Sequence, residues 1–327
     1  MKRDSSVDLL RIIACFFVIS THVCADCKYS LPEGSVPWLA AMGFTFLGKG
    51  APMLFFLLSG AFNHDRAIKT GLKKGIYYLA VFFISALFYS LIDALREGSL
   101  SLSSLLYGIY NFKYHLWFLT AFAGVCFAAP LLNSLGEREE SFALGVLMFF
   151  CVLLPGTAAL FPGIETLGQL AELMQGAVPA GCVYAGYYLL GRQLSKLGFS
   201  KRTRALASFA FAAVFAAALL LEKQGRELSG NSSIFILLQS VFAYMVFKGE
   251  KPGEKSSRLL ELTVPCVFGI YVVHVFFVEL LSELGFGSLS LGEGYALILC
   301  IILKSALVFL LSLAVSIPLK NVRRLIA

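Results

Sequence analysis

The feature that most constrains this chain is a series of long apolar segments along almost its whole length. A helix that crosses a bilayer needs about 20 consecutive, predominantly apolar residues, and the mean hydropathy of the chain is +0.80. Lipid offers no hydrogen-bond partner to the backbone, so each spanning segment must be helical. We therefore predict an all-α polytopic membrane protein. Its ten spans have approximate limits 7–26, 38–62, 76–95, 115–136, 142–161, 179–197, 205–222, 233–248, 259–281 and 294–319.

Positive charge predicts the orientation of these spans. Cytoplasmic loops of membrane proteins are enriched in Lys and Arg. Both termini are therefore expected to be cytoplasmic, in one multi-pass cell-membrane domain covering 1–327. The same rule accounts for the net charge of +7 without a nucleic-acid partner. Most Lys and Arg residues fall near the N-terminus and in 63–75, 137–141, 198–204, 249–258 and 320–327.

The eight cysteines favour packing over metal chemistry. Most lie in apolar segments, where Cys behaves as a small apolar residue. The pair Cys24 and Cys27 has the spacing of a metal or redox motif, but no second pair or nearby His completes it. We expect no metal and no permanently bound cofactor.

Arg11 and His22 are the unexpected polar residues of the first span. Arg11 lies close enough to the cytoplasmic end for its side chain to reach the interface, which is one explanation of its presence. The alternative is functional, because intramembrane charge marks functional sites. Eleven residues complete about three helical turns, so Arg11 and His22 share one face, roughly 16 Å apart. A helix with this face should line a polar cavity.

Two further histidines are predicted at a similar depth. Counted from the cytoplasmic side, His22 and His274 each lie 15 residues into their spans, and His115 is expected slightly further out. Three imidazoles near one layer can converge on one site. The simpler explanation for His274 is a buried ring bonded to a backbone carbonyl.

Lys49 and Lys304 are predicted near the middle of the membrane. Each is too deep to reach the interface easily, so each needs an anionic partner or a water-filled cavity. Gly48, Gly50 and Pro52 surround Lys49, so we expect span two to be broken there and to line a cavity.

The segment between spans two and three forms a basic loop. Its cations are Arg66, Lys69, Lys73 and Lys74. Topology alone explains much of this charge. The functional alternative is a docking patch for a phosphorylated ligand.

These pieces together resemble the membrane acyltransferase-3 family of multi-spanning O-acyltransferases. The resemblance runs in order along nearly the whole chain, and its most specific part is Arg-x10-His. The motifs are DLLRIIACFFVISTH (8–22), FFLLSG (55–60), HLWFL (115–119), AGYYLLGRQL (185–194) and FGIYVVH (268–274). The family's Arg-x-x-Arg between spans two and three has only a loose counterpart here, Arg66-x-x-Lys69.

The resemblance implies an acyltransferase that transfers groups other than aminoacyl groups. Its co-substrate would be cytoplasmic acyl-CoA, typically acetyl-CoA. The acceptor would be a hydroxyl of an extracytoplasmic carbohydrate or lipid-linked glycan. Arg11 and His22 would be the essential pair, with His22 as general base. The basic loop would bind the phosphates of coenzyme A. The expected acceptor-pocket residues are Ser59, His115, Trp117, Tyr271 and His274, with Lys49 or Lys304 at the developing oxyanion.

A transporter is the alternative that the sequence leaves open. Related membrane domains occur attached to amino-acid racemases, where moving a small amino acid is implied, and intramembrane Lys, Arg and His suit a substrate path. No racemase domain is present in the sequence. A receptor or a purely structural membrane protein has no use for the intramembrane charges.

Overall fold

The structure is a computed structural model that describes residues 5–25, 27–179, 181–226, 228–249, 254–287 and 294–326. Every regular element within these ranges is a helix, which confirms the all-α prediction. The α-helices are α1 Ser5–Val23, α2 Cys27–Ser30, α3 Val36–Phe62, α4 Ile68–Arg96, α5 Leu102–Tyr110, α6 Trp117–Ser134, α7 Glu137–Met148, α8 Leu154–Leu160, α9 Glu165–Ala177, α10 Cys182–Ser195, α11 Lys201–Glu222, α12 Ile234–Phe247, α13 Glu254–Thr263, α14 Val267–Glu283 and α15 Tyr295–Ile326.

Short helical turns of other types join some of these helices. A 3-10 turn at Tyr114–Leu116 leads into α6, and another at Val264–Cys266 joins α13 to α14. A π-helical segment, Phe149–Leu153, joins α7 directly to α8, with no residue outside a helix between them. Pro155 lies just after it and has no N–H to donate to the preceding turn, which accounts for the change of hydrogen-bond pattern there.

Seven of the helices described are long and apolar enough to cross a membrane. The other three predicted spans correspond to α1, α10 and α12, which have 19, 14 and 14 residues. The count of ten and the cytoplasmic orientation of the termini therefore stay predictions, and residues 1–4 and 327 lie outside the described ranges. The seven are Val36–Phe62, Ile68–Arg96, Tyr114–Ser134, Glu137–Leu160, Lys201–Glu222, Leu259–Glu283 and Tyr295–Pro318.

The predicted break in span two is wrong, because α3 is one helix of 27 residues that runs through Pro52. Side chains of α12 supply hydrogen bonds near the proline. Ser240 Oγ donates to the Gly50 carbonyl at 3.5 Å, and Gln239 Nε2 donates to the Leu47 carbonyl at 3.4 Å. These bonds hold α12 to α3 on either side of the Gly48 carbonyl, whose usual helical partner at Pro52 has no N–H.

The predicted basic loop is also partly wrong, because α4 already begins at Ile68. Only Arg66 lies before the helix, and Lys69, Lys73 and Lys74 lie in its first two turns. Asp65 fixes the segment that leads into α4. The Asp65 carboxylate accepts from the Ala67 N–H at 2.8 Å, and the Asp65 backbone carbonyl accepts from Asn133 Nδ2 at 2.6 Å. These bonds, together with good helix formers such as Lys and Leu, explain why α4 begins at Ile68 and includes most of the predicted loop.

The chain divides into two compact units, Met1–Phe62 with Ser141–Asn321, and Asn63–Glu140 with Val322–Ala327. In the first unit, α3 packs on α1, α10 and α12, and α1 also packs on α14. Glycines allow the closest approach of α3 to α10. A Cβ on Gly60 would lie 1.8 Å from the Tyr188 carbonyl oxygen, and one on Gly191 would lie 1.8 Å from that of Leu57.

The second unit is built on the packing of α4 against α6, with α5 alongside α4. Gly71 and Gly75 of α4 meet Pro130 and Phe127 of α6. The Ser-rich segment after α4 forms α5, whose N-terminus is fixed by a capping box between Ser101 and Ser104. The prediction of a single domain over 1–327 stays a prediction.

Candidate functional site

The helix α1 carries Arg11 and His22 on one uninterrupted length of helix. Their eleven-residue spacing leaves them about 20° apart around the axis and roughly 16 Å apart along it. Leu10, Cys15 and Ile19 of the same helix are buried in the first unit, with at most 2% exposure. The apolar packing of α1 therefore fixes the direction in which both polar side chains point.

The Arg11 guanidinium is held at two points. Its Nη1 donates to Asp8 Oδ1 at 2.8 Å, one turn earlier on α1. Its Cζ lies 5.5 Å from the centre of the Phe62 ring, at the C-terminus of α3, in a cation–π arrangement. Asp8 is buried, whereas 29% of the Arg11 side chain is exposed. Arginine has five N–H donors, so this bond leaves donors available for a ligand.

His22 and His274 form a pair of imidazoles inside the first unit. Their ring centres are 5.2 Å apart and their planes are inclined by 32°. His274 is fully buried, and its Nδ1 lies 2.6 Å from the Tyr271 carbonyl oxygen. A carbonyl can only accept, so Nδ1 carries a proton and the lone pair of the neutral ring is at Nε2. The Tyr271 ring is 5.7 Å from the His274 ring.

His22 is the more accessible ring of the pair, since it is only partly buried. Lys49 of α3 is exposed, and the residue before it, Gly48, packs directly against Thr21, the neighbour of His22 on α1. The hydroxyl of Thr21, beside His22, shares its proton between the Phe17 carbonyl of α1 at 3.0 Å and the Phe44 carbonyl of α3 at 3.2 Å, which ties α1 to α3 at this level. A partly accessible imidazole therefore has a second imidazole behind it and an ammonium group nearby.

Lys304 bonds to a residue two turns away from the histidine pair, at Ser282. It is buried, and its Nζ donates to Ser282 Oγ at 2.9 Å. Ser282 lies in the last turn of α14, eight residues beyond His274, which is about 12 Å along the helix.

Ser59 lies in α3, one turn before Phe62, and is partly buried. His115 and Trp117 belong to the second unit. His115 is buried, with its ring edge-on to Tyr89 at 5.2 Å, and Trp117 begins α6. Their predicted place in the acceptor pocket stays a prediction.

The four predicted phosphate-binding cations are exposed in the second unit. Lys69 and Lys73 are four residues apart, so they lie on one face of α4, with Lys74 beside them and Arg66 just before the helix. The nearby Asp65 has a pKa below its usual value, chiefly because the Ala67 N–H donates to the carboxylate. Asp65 is thus charged at neutral pH and offsets part of the positive charge of the cluster.

The chain matches one known family over almost its whole length. Residues 4–320 match the family model described as an acyltransferase domain. The chain belongs to the acyltransferase-3 family. This confirms the resemblance drawn from the sequence motifs, and with the seven spanning helices it makes the protein a multi-pass membrane acyltransferase. No curated protein and no solved structure matches the chain.

Three residues that hold the site, Asp8, Thr21 and Phe62, were not predicted from the sequence to do so. Asp8 and Arg11 are three residues apart, which is the spacing of a helical ion pair, so Asp8 could have been predicted. Thr21 precedes His22 directly, but its bond to Phe44 depends on the packing of two helices. Phe62 carries no such signal, because its contact with Arg11 arises only in the folded chain.

Proposed function

We propose that the protein transfers an acyl group, with acetyl as the simplest case, from cytoplasmic acyl-CoA to a hydroxyl of an extracytoplasmic glycan. The acceptor is a carbohydrate or a lipid-linked glycan. One observation carries the proposal: the helix that holds Arg11 near one end places His22 against His274 near the other. Membership of the acyltransferase-3 family supports the reaction class.

Arg11 is proposed to bind the donor. Its guanidinium is fixed by Asp8 and Phe62, so little conformational freedom is lost when it binds an anionic or carbonyl oxygen. Between Arg11 and His22 this face of α1 carries Cys15 and Val18, which are buried in the core, so the pantetheine arm would have to reach His22 from beside α1 and not along it. The exposed cations Arg66, Lys69, Lys73 and Lys74 are proposed to bind the phosphates of coenzyme A.

His22 is proposed to act as general base. Its imidazole takes the proton from the acceptor hydroxyl as the oxygen attacks the thioester carbonyl carbon. The C–S bond then breaks, and the coenzyme A thiolate leaves with the proton held by His22. An ester and free coenzyme A are the products, and the imidazole returns to its neutral form.

His274 is proposed to position His22 rather than to touch the substrate. It is fully buried behind the more accessible ring, and the Tyr271 carbonyl fixes its tautomer. Lys49 is proposed to stabilise the oxyanion of the tetrahedral intermediate, because it follows Gly48, which packs against Thr21 beside His22. Ser59, His115, Trp117 and Tyr271 are proposed to shape the acceptor pocket.

The direct test measures transfer by the purified full chain from radiolabelled acetyl-CoA to a mixed cell-envelope oligosaccharide fraction. Removing the base in His22→Ala should lower the rate by about 10²–10⁴-fold, the usual contribution of a general base. His64→Ala is the matched control. It removes an exposed histidine of the second unit, outside the proposed machinery, and should leave the rate unchanged.

The same assay separates the acyltransferase from a transporter. A transporter would neither release free coenzyme A nor label the oligosaccharides, and sealed vesicles containing it would accumulate a small solute without acetyl-CoA. Normal transfer by a folded His22→Ala variant would contradict the general-base mechanism.

A further inference from the structure

An apolar cavity of about 300 Å³ lies in the first unit, between α1, α3, α11 and α12. On α1 it is lined by Leu10, Ile13, Ala14 and Phe17, which form one stripe at helical spacing. This stripe is centred roughly 120° around the helix from Arg11 and His22. The cavity is therefore behind α1 and does not belong to the histidine site.

The cavity is closed on one side and reaches the protein surface on the other. Toward the C-terminal end of α11, the Phe215 ring packs 6.0 Å from that of Phe46 on α3, so the two helices touch there. Toward the N-terminal end of α11, Ser208 lines the cavity and is itself exposed. The least buried of the seven spanning helices is α11, so its outer surface faces lipid. The mouth at Ser208 is continuous with this surface.

Cations lie next to the mouth. The helix α11 begins with Lys201, Arg202 and Arg204, and the first two are exposed. Ser208 Oγ donates to the Arg204 carbonyl at 3.1 Å, so Arg204 is one turn, about 6 Å, from the mouth. Topology alone accounts for cations at this end of a span. It does not account for an apolar cavity that opens beside them.

We propose that the cavity and these cations form a binding site for an anionic glycerophospholipid. One hydrocarbon chain of the lipid occupies the cavity, and its phosphate binds at Lys201 and Arg204, which lie within about 40° of Ser208 around α11. Basic pockets between membrane helices bind anionic headgroups in this way. The polar groups of the lining, at Ser208, Gln239 and Ser240, are few, which suits a hydrocarbon chain rather than the amide-rich pantetheine arm.

The bound lipid would pack against α1, the helix that also carries Arg11 and His22. A chain in the cavity contacts Ala14 and Phe17 of α1, in the stripe centred roughly 120° around the helix from Arg11 and His22. The lipid fills space that otherwise allows α1 to move. The inference concerns lipid binding and does not depend on which reaction the histidines perform.

The experiment uses the full chain in phosphatidylcholine nanodiscs containing a small fraction of phosphatidylglycerol with a photoactivatable diazirine in one acyl chain. Mass spectrometry locates the label, which is expected on 208–211 and 239–247. The variant Ala243→Phe places a ring in the cavity and should lower this labelling at least about fivefold. Ala213→Phe puts the same ring on the exposed surface of α11 and should leave it unchanged. The smaller change Ala243→Leu serves if Ala243→Phe does not yield folded protein.

The headgroup is tested separately. Each of Lys201→Gln and Arg204→Gln should lower labelling by photoactivatable phosphatidylglycerol about fivefold, the usual effect of one cation near an anionic lipid. Arg202→Gln, about 120° around α11 from Ser208, is the matched control and should change it less. Labelling by phosphatidylcholine with the same diazirine should be weaker and should not change. Equal labelling of wild type by the two lipids, or undiminished labelling of folded Ala243 variants, would overturn the proposal.

Discussion

Gly48→Ala is expected to damage the reaction site without adding or removing any polar group. Gly48 lies on α3 where α1 crosses it. A Cβ added there would be 1.7 Å from Thr21 Oγ1 and 2.4 Å from the Phe17 carbonyl oxygen. The Thr21 side chain can rotate away, at the loss of its bond to Phe44, but the backbone oxygen cannot. The two helices must therefore separate by about 1 Å before this contact becomes an ordinary one.

The size of the effect follows from the position of the contact. Thr21 adjoins His22, so the displacement moves the imidazole relative to an acceptor and to His274. A misplacement of about 1 Å can lower a rate by about 10²-fold. The helix itself should survive, because Ala is a better helix former than Gly by about 1 kcal/mol. We expect transfer from acetyl-CoA to fall about 10²-fold while the far-ultraviolet circular dichroism spectrum is unchanged.

Gly145→Ala is the matched control for this experiment. It makes the same substitution inside α7 of the same unit, where an added Cβ has no atom within 4 Å. Its activity should equal that of wild type, and its thermal midpoint should be equal or slightly higher. Wild-type activity in folded Gly48→Ala would refute the reasoning, since α1 could then be displaced without cost to the reaction.

Two further substitutions test the proposed roles around the site. His274→Ala should lower kcat about 10–100-fold with little change in KM for acetyl-CoA, as expected for a residue that orients the base, and added imidazole should restore part of the rate. A loss that imidazole cannot restore in a folded variant, with KM changed equally, would argue against positioning. Asp8→Asn should raise KM for acetyl-CoA about tenfold, because Arg11 loses its charged partner. An unchanged KM would remove Arg11 from donor binding.

Much of the fold followed from the sequence because membrane helices obey strong constraints. Apolar length alone located a helix at every predicted span, since the backbone must be satisfied within each segment. The same-face relation of Arg11 and His22 needed only a continuous helix. The equal depth of His22 and His274 anticipated rings that are 5.2 Å apart.

The errors arose where side chains of other helices decide the outcome. A glycine–proline cluster around Lys49 indicated a broken helix, but α3 continues through Pro52 and is packed there against α12 through Ser240 and Gln239. The partner of Lys304, Ser282 on α14, was likewise not among the residues that the sequence indicated. Neither partner is near in sequence, so no local pattern could predict these contacts.

The most direct test of the account is transfer across a sealed membrane. Proteoliposomes would be prepared with acetyl-CoA on the side of the basic cluster that contains Lys69, and with the oligosaccharide fraction on the other side. Wild type should form acetyl esters on the far oligosaccharide, whereas Arg11→Lys and His22→Ala should form almost none at equal protein content. Ester formation by both variants at the wild-type rate would contradict the central claim, and so would transfer only when both substrates share one side. That claim is that α1 binds the donor through Arg11 near one membrane face and supplies the base, His22, nearer the other.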